Sequence, residues 1–393
     1  MGKIKILFIG DAVAPTGFAR VLHSVAKFFP KDEVDISWLG VNYHGDPHEY
    51  PYRIYPASAA GGDLYGLGRL ESILSVEKPD VIFLLNDIWI LKDYLGLLNK
   101  IYASKIRPKI MLYFPIDAED HDPSWYENMN IVDKAFTYTE FGKKVAEIAC
   151  PGFKFKVVPH GTDSRIFYKI DKSRSEVRKD LFPTRSDLYD ESTYIFLNGN
   201  RNQPRKKVDI TIRAFTEFAK NKPPNVMLYL HMGLIDSHIN IVQMTKKCGV
   251  DDRLIISTTE KGVQSLADDR LNAIYNSCDV GINSSVGEGW GLVNSEHAAT
   301  GAPQIVPDHS ALSDLYGDCG LLVPTCMSLT QDHISTTGKI VRPEDVAEKM
   351  ELIYSDKELY KDLSEKSLKK FTSEKYSWET IAATFYKEIK GLL

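Results

Sequence analysis

The stretch Asp279-Val-Gly-Ile-Asn-Ser-Ser-Val-Gly-Glu-Gly-Trp-Gly-Leu-Val-Asn-Ser-Glu296 decides the fold class of this chain. It begins with the apolar pattern of a short buried strand, and an apolar helix pattern follows from Leu292. A strand, a turn and a helix in this order are typical of open α/β sheets, which bind ligands at the carboxyl ends of their strands. The turn contains three glycines, Gly287, Gly289 and Gly291. Glycine lets the backbone approach a ligand closely, and amides at a helix start favour an anion.

Two glutamates bracket this turn, Glu288 and Glu296, with seven residues between them. Carboxylates repel a phosphate, so the pattern fits a ligand whose sugar hydroxyls donate to them while backbone amides hold its phosphate. Glu288 alone is equally compatible with a dipole partner in a first helical turn. A glycosidase pair needs carboxyls roughly 5–9.5 Å apart, whereas eight positions on one helix span about 12 Å. A hydrolytic pair is therefore the less favoured interpretation.

Composition bounds the class of protein. With 393 residues, 43% hydrophobic and 26% charged, the chain has the size and composition of a globular protein of two domains. A net charge of −5 gives no indication that the chain binds nucleic acid or a membrane surface. Five cysteines without a CxxC pair predict free thiols in a reducing compartment. Because no signal peptide and no apolar run of roughly 18 residues is evident, we expect a cytoplasmic protein.

Apolar runs that predict buried strands alternate with helix-period segments along most of the chain. The predicted strands cover residues 4–9, 34–39, 81–85, 110–114, 135–138, 155–158, 194–197, 226–230, 254–257, 280–282, 304–306 and 321–323. The predicted helices cover about residues 19–29, 141–149, 209–219, 238–247, 271–277 and 292–300, with a strand-free helical segment at 343–393. This rhythm predicts two doubly wound parallel sheets, and a charged stretch at 167–192 predicts their boundary.

A cationic loop follows the first strand of the second series. Four cations stand within seven residues, just before a predicted helix and beside Gly199: Arg201, Arg205, Lys206 and Lys207. Forked arginine donors and a lysine point charge are suited to clamping a diphosphate. A solvated surface loop is the alternative, but the position at a strand end favours the functional interpretation.

Three junctions in the first series also carry candidate residues. Gly17 follows the first strand and lets backbone amides approach a phosphate or sugar, although a plain turn fits equally well. Pro159-His-Gly-Thr-Asp163 closes the last strand, and Tyr113-Phe-Pro-Ile-Asp-Ala-Glu-Asp-His-Asp122 follows another strand end. Asp120-His-Asp122 matches the DxD pattern of metal-dependent sugar transferases, but such acidic patterns are common by chance. We therefore predict no metal site.

Together these motifs resemble the retaining glycosyltransferases of the GT-B fold, specifically glycosyltransferase family 4. The most specific part is residues 279–296 followed by Gly301-Ala-Pro303. The loop with Gly199, Arg201 and Lys206 matches the family's cations five positions apart.

Two further elements extend the resemblance to nearly the whole chain. Pro159–Asp163 before Phe167 is similar to the family's P-N/H-G-V-D motif, and Tyr376-Ser-Trp378 is similar to its closing element. The resemblance implies an α/β fold of two doubly wound Rossmann-like domains facing across a cleft, with the C-terminal helix crossing back to the first. The implied domains are residues 1–170 plus 375–393 on the acceptor side and 171–374 for the nucleotide sugar.

The resemblance also implies site residues. The donor-binding set is Gly17, Gly199, Arg201, Arg205, Lys206, Ser257, Gly287, Glu288, Gly289, Trp290, Gly291, Leu292 and Glu296. In this set Arg201 and Lys206 neutralise the diphosphate, Glu288 contacts sugar hydroxyls and Glu296 binds ribose hydroxyls. Many members carry a histidine where this chain has Pro115-Ile-Asp117, so that sugar-contacting role passes to Asp117. The catalytic set is Glu288, Asp117, Arg201 and Lys206, and the candidates toward the acceptor are His160, Asp163 and Glu119.

The implied activity is transfer of a hexose from a nucleoside-diphosphate sugar to a hydroxyl of a glycan or another acceptor. Retention by front-face attack is expected, without a metal or another cofactor. GDP-mannose is the favoured donor and UDP-glucose the second. Two alternatives stay open: a nucleotide-sugar-binding protein with weak donor hydrolysis only, and a GT-B hydrolase or epimerase. The aromatic and glycine residues of 43–68 are compatible with an acceptor site or with a surface loop.

Overall fold

The computed structural model describes residues 2–59, 61–256 and 266–393. Its strands are β1 (Ile4–Asp11), β2 (Val34–Val41), β3 (Arg53–Pro56), β4 (Val81–Leu85), β5 (Lys109–Phe114), β6 (Lys134–Thr137), β7 (Lys156–Val157), β8 (Tyr194–Asn198), β9 (Val226–Leu230), β10 (Leu254–Ile256), β11 (Val280–Ile282), β12 (Gln304–Pro307), β13 (Leu321–Val323), β14 (Thr325–Thr330) and β15 (Thr337–Val341). Its helices are α1 (Gly17–Lys27), α2 (Leu70–Glu77), α3 (Ile88–Ile101), α4 (Glu140–Ala149), α5 (Arg174–Leu181), α6 (Val208–Ala219), α7 (Ile241–Cys248), α8 (Asp268–Ser277), α9 (Leu292–Ala298), α10 (Ser310–Tyr316), α11 (Pro343–Ser355), α12 (Lys357–Phe371) and α13 (Trp378–Lys390).

The first of two compact units comprises Met1–Ile116, Asp120–Gly161 and Trp378–Leu393. Its sheet has the order β3-β2-β1-β4-β5-β6-β7 with parallel pairing throughout. The central strands β4 and β5 are buried along almost all of their length, as their continuous apolar runs predict. Because the pairing is parallel, all strands end at the same edge, where the junction loops of this unit gather.

The second unit comprises Asp117–Glu119 and Thr162–Ser377. Its main sheet has the order β10-β9-β8-β11-β12-β13, also parallel throughout. A continuous apolar core joins this sheet to α6 and α11. Two doubly wound parallel sheets are the predicted fold class, which the structure confirms.

The C-terminal helix α13 belongs to the first unit, as predicted for the closing element. The Phe385 ring of α13 packs edge-on against three rings of the first sheet, with centroids 4.8–5.3 Å away: Phe83, Tyr113 and Phe136. Aromatic packing of this kind fixes the helix on the sheet.

The segment after β7 belongs to the second unit, so that unit begins earlier in the chain than residue 171. Phe167 is buried and its ring lies 5.7 Å from that of Tyr275 in α8. The backbone N–H of Ile170 donates to Asn276 Oδ1 at 2.9 Å. These contacts tie the segment to α8, and the charged stretch predicted as a boundary instead contains α5.

An antiparallel hairpin, β14–β15, lies outside every predicted strand. Glu119 forms an antiparallel bridge with Thr337 of β15. The N–H of Lys339 in the same strand donates to the carbonyl of Val286 at 2.9 Å. The hairpin therefore joins Asp117–Glu119 to the loop that follows β11.

Candidate functional site

Two neighbouring strands of the second unit position the candidate site. β8 and β11 pair directly, so the loops after them leave the sheet side by side. A Cβ on Gly199, just after β8, would lie 2.8 Å from Val293 Cγ1 at the start of α9. The cationic loop and the glycine turn, distant in sequence, are thus packed together at the carboxyl edge of the sheet, where such folds bind ligands.

Glu288 is the centre of this site. It is 5% exposed, and its Oε1 lies 2.5 Å from Lys206 Nζ. Its Oε2 lies 3.5 Å from an Arg205 guanidinium nitrogen, and Asn283 Nδ2 donates to Oε1 at 3.2 Å. Although burial acts to raise the pKa of Glu288, the charges of Lys206 and Arg205 hold that pKa down at about 2. The carboxylate is therefore ionised at neutral pH.

Glu288 does not lie in the first turn of α9. The helix begins at Leu292 after Gly291, whose φ of 86° requires the left-handed conformation that glycine adopts without strain. The first turn of α9 contains no acidic residue. The interpretation of Glu288 as an ordinary dipole partner of this helix is therefore wrong. The estimate of about 12 Å between the two carboxyls assumed one continuous helix, so it does not apply either.

Lys206 has an unusual environment for a lysine. Its side chain is only 11% exposed. Burial and the neighbouring Arg205 charge lower the Lys206 pKa to about 8, even though Glu288 acts to raise it. At neutral pH the ammonium is charged, buried and adjacent to a second cation, which is the arrangement expected of a site that receives an anion.

Arg205 links this pair to the short segment before the hairpin. Its guanidinium lies 3.1 Å from Asp117 Oδ2 and also donates to the carbonyl oxygen of Gly287. A Cβ on Gly287 would lie 1.8 Å from the Asp117 carbonyl oxygen, so only glycine fits there. The predicted catalytic residue Asp117 therefore lies in contact with the glycine turn.

A buried amide chain that the sequence analysis missed supports Glu288. Asn283, at the end of β11, also donates to Asn294 Oδ1 at 2.8 Å, and Asn294 donates to Gln304 Oε1 at 2.9 Å. All three side chains are at most 2% exposed. The signal in the sequence was Gln304, a polar residue at the start of an otherwise apolar strand, because buried amides occur with partners.

The turn is also held from the far side. The backbone N–H of Glu288 donates to Ser310 Oγ at 3.0 Å, and Ser310 adopts a φ of 57°. A left-handed serine is strained, and such strain is concentrated at functional sites. Ser310 lies outside the motifs from which the site was predicted.

The second glutamate of the turn lies on α9. Glu296 is 6% exposed, and Tyr275 donates its hydroxyl proton to Glu296 Oε2 at 2.9 Å. Trp290 is buried, and its indole donates to Ser295 Oγ at 3.2 Å, so its visible role is to brace the turn. Gly289 is buried in the same turn, and Leu292 is half-buried at the helix start.

Arg201 lies in the same loop as Lys206 but has a different partner. Its side chain is half exposed, and its guanidinium lies 3.3 Å from Asp236 Oδ2. The structure thus brings Arg205 and Lys206 to Glu288, whereas Arg201 forms a separate pair. The predicted donor residue Ser257 lies outside the described residues.

The remaining predicted residues have identifiable structural contacts. Gly17 starts α1 in the first unit, where Thr16 caps the helix. His160 is 3% exposed, its Nδ1 lies 2.6 Å from the Tyr113 hydroxyl, and burial lowers its pKa to about 3. Asp163 accepts from Arg165 Nε at 2.9 Å, and Glu119 accepts from Lys339 Nζ at 2.9 Å, both in the second unit.

The DxD pattern has a local explanation. Asp122 Oδ1 accepts from the N–H of Ser124 at 2.8 Å and caps a short helical turn, and Asp120 has a φ of 59°. Within residues 2–59, 61–256 and 266–393, no three His, Cys, Asp or Glu side chains form a group suited to a metal ion.

Over the same ranges every helix is too short or too polar to cross a membrane.

The family comparison points to the same region. Residues 192–350 match the family described as Glycosyl transferases group 1, a range that includes the cationic loop, the glycine turn and both glutamates. No curated protein sequence matches the chain.

Solved structures with the same fold cover the whole chain. The Anabaena protein HepE in complex with UDP and glucose is 15% identical, covers 99% of this chain and 100% of its own, and has a TM-score of 0.70. Sucrose-phosphate synthase from Thermosynechococcus elongatus is 15% identical, covers 100% and 99%, and has a TM-score of 0.72. The E. coli trehalose-6-phosphate protein bound with UDP-2-fluoro glucose is 11% identical, covers 99% and 99%, and has a TM-score of 0.68.

These neighbours share the fold of two Rossmann-like domains. The predicted resemblance to GT-B glycosyltransferases is thereby confirmed. Residues 192–350 resemble glycosyl transferases of group 1, and the whole chain has the fold of these solved structures.

Proposed function

We propose that this protein is a glycosyltransferase that moves a hexose from a nucleoside-diphosphate sugar to an acceptor hydroxyl, with retention of configuration and without a metal. The observation that carries the proposal is the buried Lys206–Glu288 pair, with Arg205 beside it, at the carboxyl ends of β8 and β11. A site with two cations and a carboxylate matches a ligand that has both a diphosphate and sugar hydroxyls.

Charge on the leaving diphosphate is the main problem of this reaction. Cleaving the bond between sugar and diphosphate builds negative charge on the phosphate oxygens. Fixed cations that already face that position stabilise the transition state without reorganising. We assign this role to Lys206 and Arg205, with Arg201 as a proposed third cation from the same loop.

The two glutamates divide the donor in this proposal. Glu288 accepts hydrogen bonds from hydroxyls of the transferred sugar, next to the cations that hold the diphosphate. Glu296, one helical turn into α9, accepts from the ribose hydroxyls. Asp117, which contacts Arg205, is the proposed second carboxylate at the sugar.

Attack takes place on the sugar face from which the diphosphate departs. The acceptor oxygen forms the new bond to the anomeric carbon as the bond to the diphosphate breaks, and a departing phosphate oxygen takes the acceptor's proton. The anomeric configuration is therefore retained.

Two donors compete in this proposal. UDP-glucose is the first to test, because the Anabaena and E. coli neighbours hold UDP with glucose or a fluorinated UDP-glucose. GDP-mannose, favoured from the sequence resemblance, is the second. We propose the cytoplasm as the location, since all five cysteines are free thiols.

Turnover of each nucleotide sugar, measured with and without candidate glycan acceptors, tests the proposal. A new glycoside that forms in the presence of chelator is the expected product. Free sugar as the sole product would replace the transferase with a hydrolase. Binding without turnover under all acceptors would leave a nucleotide-sugar-binding protein, and activity restored by manganese after chelation would contradict the metal-free mechanism.

Two substitutions test the division of the donor. Glu288→Gln preserves side-chain size and should lower kcat while leaving nucleoside-diphosphate affinity nearly unchanged, because its contact belongs to the reacting sugar. Glu296→Ala should weaken free nucleotide and nucleotide sugar by similar factors. Glu217→Gln, on the outer face of α6, is the matched control and should change neither quantity. Wild-type turnover in Glu288→Gln would contradict the sugar assignment.

A further inference from the structure

A cavity lies at the amino edge of the second unit's main sheet, opposite the edge that carries the candidate site. It has a volume of about 570 Å³, and its wall includes Thr193 and Asp279, which immediately precede β8 and β11. The donor loops follow those strands. With about 3.3 Å per strand residue, the two edges of the five-residue strand β8 are roughly 15 Å apart. The cavity is therefore separate from the glycosyltransferase site.

Cations outnumber carboxylates on the cavity wall. Five cations, Lys169, Lys172, Arg174, Arg178 and Lys361, face three carboxylates, Glu191, Asp279 and Glu365. An excess of two positive charges favours an anion.

Several of these charges already have partners. Arg178 is 1% exposed and pairs with Asp279 at 2.9 Å, so it is part of the framework. Arg174 lies 3.3 Å from the same carboxylate and donates to the Tyr360 hydroxyl at 2.6 Å, while its side chain stays 38% exposed. Lys172 pairs with Asp180 at 2.8 Å.

The side chains of the cavity wall that have no ion pair indicate the kind of ligand. Across the described ranges Lys169 and Lys361 have no ion pair, and neither have Glu191 and Glu365. The Thr193 residue is 3% exposed, and its buried hydroxyl has no hydrogen-bond partner among the described residues. Ammonium groups bind a phosphate, whereas carboxylates and a hydroxyl accept from or donate to sugar hydroxyls.

We propose that this cavity binds a small phosphorylated sugar or polyol, with its phosphate at Lys169, Lys361 and Arg174 and its hydroxyls toward Glu191 and Glu365. Its volume lies within the roughly 300–1,000 Å³ typical of small-molecule sites. Tyr275 lies on the cavity wall and donates to Glu296 of the donor site, so the ligand lies next to a residue that holds the proposed ribose contact. The proposal does not depend on the identity of the donor.

Isothermal titration with glucose 6-phosphate as the probe tests the site, with inorganic phosphate and glucose as separate arms. Glucose 6-phosphate should bind with one-to-one stoichiometry and more tightly than inorganic phosphate, and glucose should not bind measurably. The double variant Lys169→Ala/Lys361→Ala should weaken the probe at least tenfold. Both side chains are on the surface, so folding should be unaffected, and thermal unfolding checks this.

Two control variants locate the binding. Lys179→Ala removes an exposed lysine of α5 that does not line the cavity, and Arg201→Ala removes a half-exposed cation of the proposed donor site. Both should leave probe affinity unchanged. Loss of probe binding in Arg201→Ala but not in the double variant would place the probe in the donor site and overturn the proposal. Absence of binding to the wild type, or equal affinity for inorganic phosphate, would overturn it too.

Discussion

Removing the Lys206 ammonium should destabilise the second unit strongly, even when no nucleotide is bound. Lys206→Met keeps most of the apolar stem and deletes the charge that lies 2.5 Å from Glu288 Oε1. Glu288 then stays buried and ionised, with Arg205 at 3.5 Å and Asn283 at 3.2 Å as its remaining partners. A buried charge that loses its closest partner keeps its desolvation cost without the compensating attraction.

The expected magnitude follows from these contacts. Breaking a buried ion pair by removing one partner typically costs about 3–5 kcal/mol. Because Arg205 and Asn283 still contact the carboxylate, we expect the lower end, about 3 kcal/mol. For a unit of this size 1 kcal/mol lowers Tm by roughly 2–4 °C, so Tm should fall by roughly 6–12 °C.

A double-mutant cycle decides whether this explanation is right. Glu288→Gln in the Lys206→Met background neutralises the second member, so the double variant should be less destabilised than the sum of the single variants by about 2 kcal/mol. Urea-induced unfolding of the four proteins, without nucleotide, measures the free energies. Single-variant effects that add to within about 0.5 kcal/mol would show that the two side chains do not depend on each other and would refute the reasoning.

Three further outcomes are expected. Arg201→Ala should weaken nucleoside-diphosphate binding roughly tenfold, because a charge-assisted contact is lost. Lys220→Ala removes an exposed cation of the same charge and should not weaken binding. Equal calorimetric affinities of Arg201→Ala and the wild type would show that Arg201 does not contact the diphosphate. Nucleoside-diphosphate affinity should fall as pH rises through about 8, because Lys206 loses its proton there and only the protonated form attracts the anion. Lys206→Arg should move this fall in affinity to higher pH. An affinity of the wild type that does not change with pH would contradict the prediction. Gly287→Ala should lower the free energy of unfolding by at least about 2 kcal/mol through overpacking, whereas Gly152→Ala, with open space around it, should be nearly neutral in the same urea titration.

Strands buried on both faces could be predicted to the residue. β4 and β9 match the predicted ranges 81–85 and 226–230, because every residue in them is buried and apolar. A continuous apolar run of that length between polar segments has few alternatives in a doubly wound sheet.

Most of the strands and helices that were not predicted lack a continuous apolar run or a clear apolar period. Others carry such a pattern and were not predicted although it was present. β14 is exposed along most of its length, and its sequence has no alternation that separates it from a loop. β3 is a short edge strand with no fully buried residue. α3, in contrast, carries buried Leu91, Leu95 and Leu98 at helical spacing, so its signal was present in the sequence.

The residues that gather at the candidate site could be named from the sequence, but their pairing could not. Both glutamates and the cationic loop were identified from residue types and from their position at strand ends. Lys206 and Glu288 are 82 positions apart, and only the pairing of β8 with β11 brings them together. The assignment of Asp117 to the second unit depends in the same way on the hairpin that binds its neighbour Glu119.

The choice between Arg201 and Arg205 shows what local geometry adds to a motif. Both arginines stand in one loop, and the resemblance to the family favoured Arg201 as the partner of Lys206. In the structure Pro204–Lys206 forms a single helical turn, and Lys207 follows with a φ of 47° before α6 begins. This turn directs the adjacent Arg205 and Lys206 side chains to the same carboxylate, while Arg201, before the turn, pairs with Asp236. Arg205 and Lys206 both lie within 3.5 Å of one buried carboxylate, whereas Arg201 pairs with a different one, which is why we centre the proposed diphosphate site on Arg205 and Lys206.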